Sequence, residues 1–450
     1  MIKIYSAAWV VPVSSAPIVD GGVAVDGPLI VGVGGRAELT NTFPDSQTEH
    51  FSEAIIVPGL VNTHTHLELT AMRGYLEKEE TDFFSWLKKL TLTRLFRLTP
   101  DDLTVSATWG ACEAVRAGIT CVGDASDSAI TSLRALKTVG LRGIVFQESF
   151  GPDARLLQEN IEKLKTKVDE LAAEETPLVK AGVSPHAPYT VCAPQLEAIA
   201  GYAAAQKLPV MMHAAESEAE DLLLREACGI FADNLKTRAI DFTAPRTSPI
   251  QHLRQTGILD CQPLLAHCIR VDDHDIETIA TSRSKIAHCP KSNAKLRHGR
   301  APLAKFISRG ITVGLGSDSV ASNNTCDVLE EARFAVLLSR AVEPDGARGI
   351  EAVDAFHAAT IGGARCLGLG DQMGELRAGL QADLTVVSVD ATHQLPVYDP
   401  MASLIFSSSG RDVVLTMIAG REAFRDGRVE GVDEESLKPR IVEIANKLRD

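Results

Sequence analysis

Short apolar runs alternate with stretches of helical periodicity through the middle of the chain, and each run ends in polar residues. The runs lie at 55–57, continuing to 66, and at 120–124, 143–146, 179–183, 209–212, 264–266, 285–287 and 311–315. Runs this short, bounded by turn residues, read as buried strands. Between them 100–117, 156–174, 194–205 and 273–281 read as helices. Strand–helix alternation implies parallel strands joined by crossover helices, and eight repeats imply closure into a (β/α)8 barrel of the α/β class. The two ends of the chain carry short strand and turn patterns, each too small for a core of its own. Residues 1–54 and 372–430 are therefore expected to pair into one small β-sandwich domain, with 55–371 as the barrel and 431–450 as a C-terminal helix.

Composition alters this picture little, since 45% hydrophobic and 23% charged residues suit a chain with a sizeable core. Forty-five Lys and Arg against 59 Asp and Glu give a net charge of −14. With no basic run to offset it, nucleic acid and anionic membrane are poor partners, and a small-molecule substrate is expected. No run reaches the roughly 20 apolar residues of a membrane span, and Met1-Ile2-Lys3-Ile4-Tyr5 lacks the parts of a signal peptide, so a cytoplasmic protein is expected. The nine cysteines include no Cys-x-x-Cys pair, so they read as reduced thiols and not as a thiolate zinc site.

The chemistry lies in the residues just past each strand, because a barrel's active site forms where the C-terminal strand ends converge. His64 and His66 close the first run, His186 comes after the fourth, His213 and Glu216 after the fifth, His267 after the sixth, His288 after the seventh and Asp318 after the eighth. On a strand, His-x-His turns both imidazoles to one face. Alone, such a pair marks hydrogen-bonded mouth residues more often than a metal. With His213 and Asp318 at other strand ends, three nitrogens and one carboxylate make a divalent-metal set that leaves a position for water. An ion so held lowers the pKa of its water toward roughly 7 and makes hydroxide available. Asp318 can accept the water's proton and His267 can orient it. Glu216, three residues after His213, is placed to act as a general acid. Taken alone, Glu216 belongs to an acidic segment and reads as solvated; its spacing from His213 gives it the functional reading. His50, His252, His274, His298, His357 and His393 are taken as structural or exposed. His66-Leu67-Glu68 mimics the start of the nucleobase-deaminase zinc motif, but the downstream Pro-Cys-x-x-Cys of that motif is missing.

These motifs together resemble the amidohydrolase superfamily in its single-metal aminohydrolase branch. They are Pro58-Gly59-Leu60-Val61-Asn62-Thr63-His64-Thr65-His66, Ser184-Pro185-His186-Ala187-Pro188-Tyr189, His213-Ala214-Ala215-Glu216, His267, His288-Cys289-Pro290-Lys291-Ser292-Asn293 and Gly314-Leu315-Gly316-Ser317-Asp318. Gly374-Glu375-Leu376 and Ala382-Asp383-Leu384 match the family's return to the β-domain. The resemblance implies one divalent ion, zinc first and iron second, on His64, His66, His213 and Asp318, and often a homodimer. Binuclear relatives use a lysine at the fourth strand's end, whereas Lys180 stands near that strand's start.

The reaction so implied is hydrolytic deamination of an amino-substituted aromatic heterocycle, with Glu216, His267 and Asp318 catalytic and Glu216, His186, Glu68 and Glu148 binding substrate. Glu68 and Glu148 resemble residues of aminodeoxyfutalosine deaminases, which favours that substrate. The alternatives are thioether-adenosine deamination, for which Ser85 stands where those relatives carry a Glu, and s-triazine dechlorination. A cyclic-amide hydrolase and a non-catalytic metal-binding homologue are the remaining classes. Against a substrate role, Glu68 and Glu148 would only form ion pairs, with Arg73 or Arg142.

Overall fold

The computed structural model describes residues 1–342 and 349–449. Four strands open the chain: β1 Lys3–Val10, β2 Ile18–Asp26, β3 Leu29–Gly35 and β4 Gln47–Pro58. Eight form the barrel: β5 Leu60–Thr65, β6 Ile119–Ser126, β7 Arg142–Ser149, β8 Val179–Pro185, β9 Met211–Ala214, β10 Leu264–His267, β11 Lys285–His288 and β12 Val313–Leu315. Four more close the chain's sheet structure: β13 Leu384–Ser388, β14 Val413–Ile418, β15 Arg421–Arg425 and β16 Arg428–Val429.

The barrel strands are parallel and run β5-β6-β7-β8 and β9-β10-β11-β12. Parallel bridges between Val183 and Val210 and between Thr65 and Asp318 join the two halves into a closed ring. Every residue of β5, β6 and β7 is buried. That is why they read as continuous apolar runs without the alternation of a one-sided sheet. Val61, Cys121, Phe146, Met211, Leu264 and Ala287 fill the barrel interior. The helices expected from periodicity occur at Pro100–Arg116, Leu157–Ala173, Ala193–Gln206 and Asp273–Thr281.

The outer strands make one sheet in the order β16-β15-β14-β13-β4-β1-β2-β3, so both ends of the chain meet at β4 and β13. The apolar run beginning at 55 is in fact two strands. Residues 55–58 complete β4 in the outer sheet, and the barrel begins at Leu60. The break is at Gly59, where a Cβ would collide with the Thr120 side chain of β6. A buried ion pair ties the layers together: Arg142 of β7 donates from Nε and Nη2 to Asp383 at 3.0 and 2.9 Å. The C-terminal helix Glu434–Arg449 places Ile444 and Leu448 against Leu69, Leu90 and Leu103. All nine cysteines are unpaired, as free thiols require. Among the described residues, no helix is long and apolar enough to cross a membrane.

Candidate active site

The end of β5 is fixed from both sides. Asn62 Nδ2 donates to Ser317 Oγ at 2.7 Å while Ser317 N donates to Asn62 Oδ1 at 2.9 Å, and Asp318 N donates to His64 O at 2.8 Å. A Cβ on Gly316 would lie 2.9 Å from His64 Cβ, so β12 packs this closely on β5 only with glycine there. On the other flank, buried Asp124 accepts from Thr65 Oγ1 at 2.8 Å and Leu67 N at 2.7 Å. The His64-Thr65-His66 segment is thereby held in register with Asp318. Asp318 and His267 adopt φ of 58° and 73°, backbone that L-residues rarely take. Such conformations persist where the surroundings over-determine them, and they cluster at functional sites.

Hydrogen-bond partners determine which imidazole nitrogens carry lone pairs. His213 Nδ1 lies 2.9 Å from the carbonyl oxygen of His186, which only accepts, so Nδ1 carries the proton and Nε2 the lone pair. That Nε2 is 3.3 Å from His66 Nε2. His64 Nδ1 lies 3.2 Å from Met211 Sδ, and its buried Nε2 has no hydrogen-bond partner. Asp318 Oδ1 is 3.5 Å from Nε2 of both His64 and His66. Ligands on a tetrahedral ion with bonds of about 2.0–2.1 Å stand about 3.4 Å apart; His64, His66 and His213 form a group that could hold an ion, with Asp318 at a comparable distance from two of them. Burial lowers His66 to about 3 and His213 well below the usual range, leaving the neutral rings that a metal requires. Burial would raise Asp318, but His64, His267 and His66 around it hold its carboxyl well below the ordinary value. Its Oδ2 accepts from Ser292 Oγ at 2.6 Å and Ser322 Oγ at 3.0 Å.

Glu148, His186 and His213 form a second close group of ligand-type atoms. It shares the one free nitrogen of His213, so the two groups cannot each hold an ion. Lys180 is on the surface, 3.0 Å from Glu175.

Glu216 lies across from the histidines, buried. Burial, with Asp318 and Glu220 adding to it, pushes its carboxyl well above the ordinary range. Tyr189 Oη donates to Oε2 at 3.4 Å, while Nε2 of His267 and of His298 lie 3.7 and 3.6 Å from Oε1. His267 Nδ1 donates to Asn293 Oδ1 at 2.8 Å, which leaves the Nε2 lone pair facing the site. His288 is buried beside this cluster with Nδ1 unpartnered.

From this inner end a cavity of about 700 Å³ runs outward beneath helix Phe83–Phe96. His186 lines it, with Nδ1 2.8 Å from Thr190 Oγ1 and its ring 4.6 Å from that of Phe150. Glu68 and Glu148 both line it. Their ion-pair partners are not the arginines anticipated: Arg73 pairs with Glu113 and Arg142 with Asp383. Glu68 is instead 3.6 Å from Arg94 Nη1 and accepts from the backbone of Asp127 and Ser128. Buried Glu148 Oε1 has no hydrogen-bond partner. Ser85 is outside the cavity lining, and its Oγ donates to Asp82 at 2.6 Å.

The periodicity of the chain does not reveal His298, Tyr189 or Arg94. His298, expected to be structural or exposed, is buried against Glu216 and Phe83. Arg94 is a basic residue in a helix's last turn, which in isolation reads as solvated, yet Glu68 and Asp127 enclose it. Tyr189 ends the motif that begins at Ser184, but only the fold brings it to Glu216.

A closed parallel barrel carries its active site at the C-terminal strand ends, where this chain gathers its histidine and carboxylate cluster. The model of the amidohydrolase family matches residues 55–423. A 5-methylthioadenosine/S-adenosylhomocysteine deaminase from Pelotomaculum thermopropionicum is 31% identical over 419 residues, 93% of this chain and 92% of that protein. A 5'-deoxyadenosine deaminase from Methanothermobacter thermautotrophicus is 28% identical, covering 94% of this chain and 95% of its own. The crystal structure of an adenosine deaminase from Xanthomonas campestris with bound zinc superposes with a TM-score of 0.86 at 26% identity, over 99% of this chain and 98% of that one. The chain belongs to the amidohydrolase family, and it is a hydrolase acting on carbon–nitrogen bonds other than peptide bonds.

Proposed function

We propose that the protein is a hydrolytic deaminase that exchanges an amino group on an aromatic heterocycle for oxygen and releases ammonia. His64, His66, His213 and Asp318 hold one divalent ion, zinc before iron. The observation that carries this reading is the buried Glu216 carboxyl beside the three convergent imidazoles. When bound, the ion supplies a Lewis acid that makes water nucleophilic at neutral pH. Asp318 takes the proton that the water gives up, and the His267 Nε2 lone pair orients the water. Glu216 passes its proton to the ring nitrogen beside the carbon under attack. The proton on Asp318 then goes to the departing amine, and the proton left on the attacking oxygen returns to Glu216 as the C=O forms, so water and amino-heterocycle become oxo-heterocycle and ammonia.

The cavity exceeds what one ring fills, and purine nucleosides are named for the relatives, so the substrate is an aminopurine bearing a substituent of nucleoside size. Aminodeoxyfutalosine is favoured over thioether adenosines because Glu68 and Glu148 line the outer cavity while Ser85 turns away from it. The zinc-loaded protein is assayed for ammonia release on aminodeoxyfutalosine, methylthioadenosine, S-adenosylhomocysteine, guanine, a pterin and an s-triazine. Ammonia from aminodeoxyfutalosine at the highest kcat/KM is the expected result. A higher value with methylthioadenosine would reverse the substrate preference, and ammonia from none of them with zinc bound would end the deaminase reading.

A further inference from the structure

We propose that His298 is a positioning residue for Glu216, whose Nε2–H stabilises the carboxylate formed when Glu216 gives its proton to the substrate ring. The inference rests on Glu216 being the acid of the proposed reaction. His298 Nε2 is buried, has no hydrogen-bond partner, and stands 3.6 Å from Glu216 Oε1. Of the two histidines flanking that oxygen, His267 cannot donate, because its proton is committed to Asn293 through Nδ1. Tyr189 serves the other oxygen. His298 is thus the side chain placed to donate to Oε1, and a few tenths of an ångström of closure makes the hydrogen bond.

The loop that delivers His298 is built for the purpose. Arg297 and Gly299 on either side adopt φ of 58° and 105°, and His298 N donates to Asn293 O at 2.9 Å. The ring stands edge-on to Phe83 at 4.4 Å between centroids, outside the cavity lining. One short segment therefore orients two groups of the site: His267 through Asn293, and Glu216 through His298. Because the ring does not line the cavity, its removal acts through Glu216 and spares substrate contacts.

The test compares His298→Leu, which removes the donor, with His298→Gln, which returns an N–H near the position of Nε2. In the zinc-loaded protein, on whichever heterocycle releases ammonia, His298→Leu lowers kcat about 10- to 100-fold with KM within about twofold, the range for losing one hydrogen bond to a charged oxygen. Zinc content is unchanged, and His298→Gln recovers most of the loss. A second readout needs no substrate. The C=O stretch of the protonated Glu216 carboxyl, assigned by its disappearance in Glu216→Gln, moves to higher frequency in His298→Leu and stays in place in His298→Gln. If His298→Leu does not fold, His298→Met takes its place. Turnover of the Leu variant within about twofold of the parent overturns the proposal, as does equal loss in both variants or an unmoved band. If the parent releases no ammonia from any heterocycle, the deaminase reading fails, and the infrared comparison still decides the role of His298.

Discussion

At the inner end of the cavity, most polar side chains come from strand ends or the turns just beyond them, and several are fixed by directional bonds to a neighbour. Asn62 and Ser317 lock β5 to β12, Asp124 holds Thr65 and Leu67, and Asn293 holds His267. At the outer end the wall is helix Phe83–Phe96 together with residues from several loops and another helix. Polar contacts there are ion pairs such as Arg94 with Glu68 and Asp127, and Lys167 with Asp127. Glu148 between the two ends has an unpartnered oxygen. The inner end presents lone pairs at fixed distances, as a metal and a reaction require. The outer end presents charges and apolar surface, which suit binding. Under the proposed function, reaction type belongs to the first region and substrate choice to the second.

Substitutions test that division, beginning where the effect is greatest. His213→Ala removes a ligand nitrogen, so metal content after dialysis and ammonia release both fall to background. Glu216→Gln separates the acid from the ion: kcat drops about 10²–10⁴-fold while metal content stays at the parent value. Near-normal turnover by Glu216→Gln would remove the acid from the inner end. Glu148→Leu should raise KM about tenfold with kcat within about threefold and metal unchanged, as expected for uniform binding. If Glu148→Leu instead lost metal, Glu148 would belong with the ligands and the boundary between the regions would shift inward.

The same division explains what could be read in the chain. Strand residues alternate with period 2, and barrel strands end at one face, so the placement of His64, His66, His213, His267 and Asp318 at strand ends can be read from the chain. All eight barrel strands are visible as apolar runs, and β5, β6 and β7 show why, since both their faces are buried. Gly59 is harder to place. The apolar pattern runs through it unbroken, and only the approach of Thr120 shows that two strands meet there. His298 lies in a loop without periodicity, and its burial depends on Phe83, far away in sequence. Arg94 is hidden for a related reason: the carboxylates that bury it, Glu68 and Asp127, come from the segments just past β5 and β6. Positions set by a local repeat are legible, whereas those set by tertiary neighbours are not.

The smallest expected effect concerns how the inner end holds its acid in place. Glu220 accepts from Ala215 N at 3.0 Å and Glu216 N at 2.8 Å, so it fixes the backbone that carries Glu216. Burial pushes the Glu220 carboxyl up to about 7. In the unfolded chain a glutamate titrates near roughly 4.3. Between those values the folded protein keeps a proton that the unfolded chain has released, so stability falls as pH rises from about 4.5 to about 7. The contribution is at most about 3 kcal/mol, a shift of a few degrees in Tm. Glu220→Gln removes it, and the difference in Tm between variant and parent then changes across this pH range; a constant difference would show that Glu220 titrates normally. The same substitution reaches the reaction. The Glu220 carboxylate, after burial and Asp318, helps keep the proton on Glu216. Without that charge Glu216 ionises at lower pH, and the alkaline limb of kcat/KM moves to lower pH. An alkaline limb unmoved in Glu220→Gln would leave burial and Asp318 to hold the proton alone and reduce Glu220 to a backbone tether.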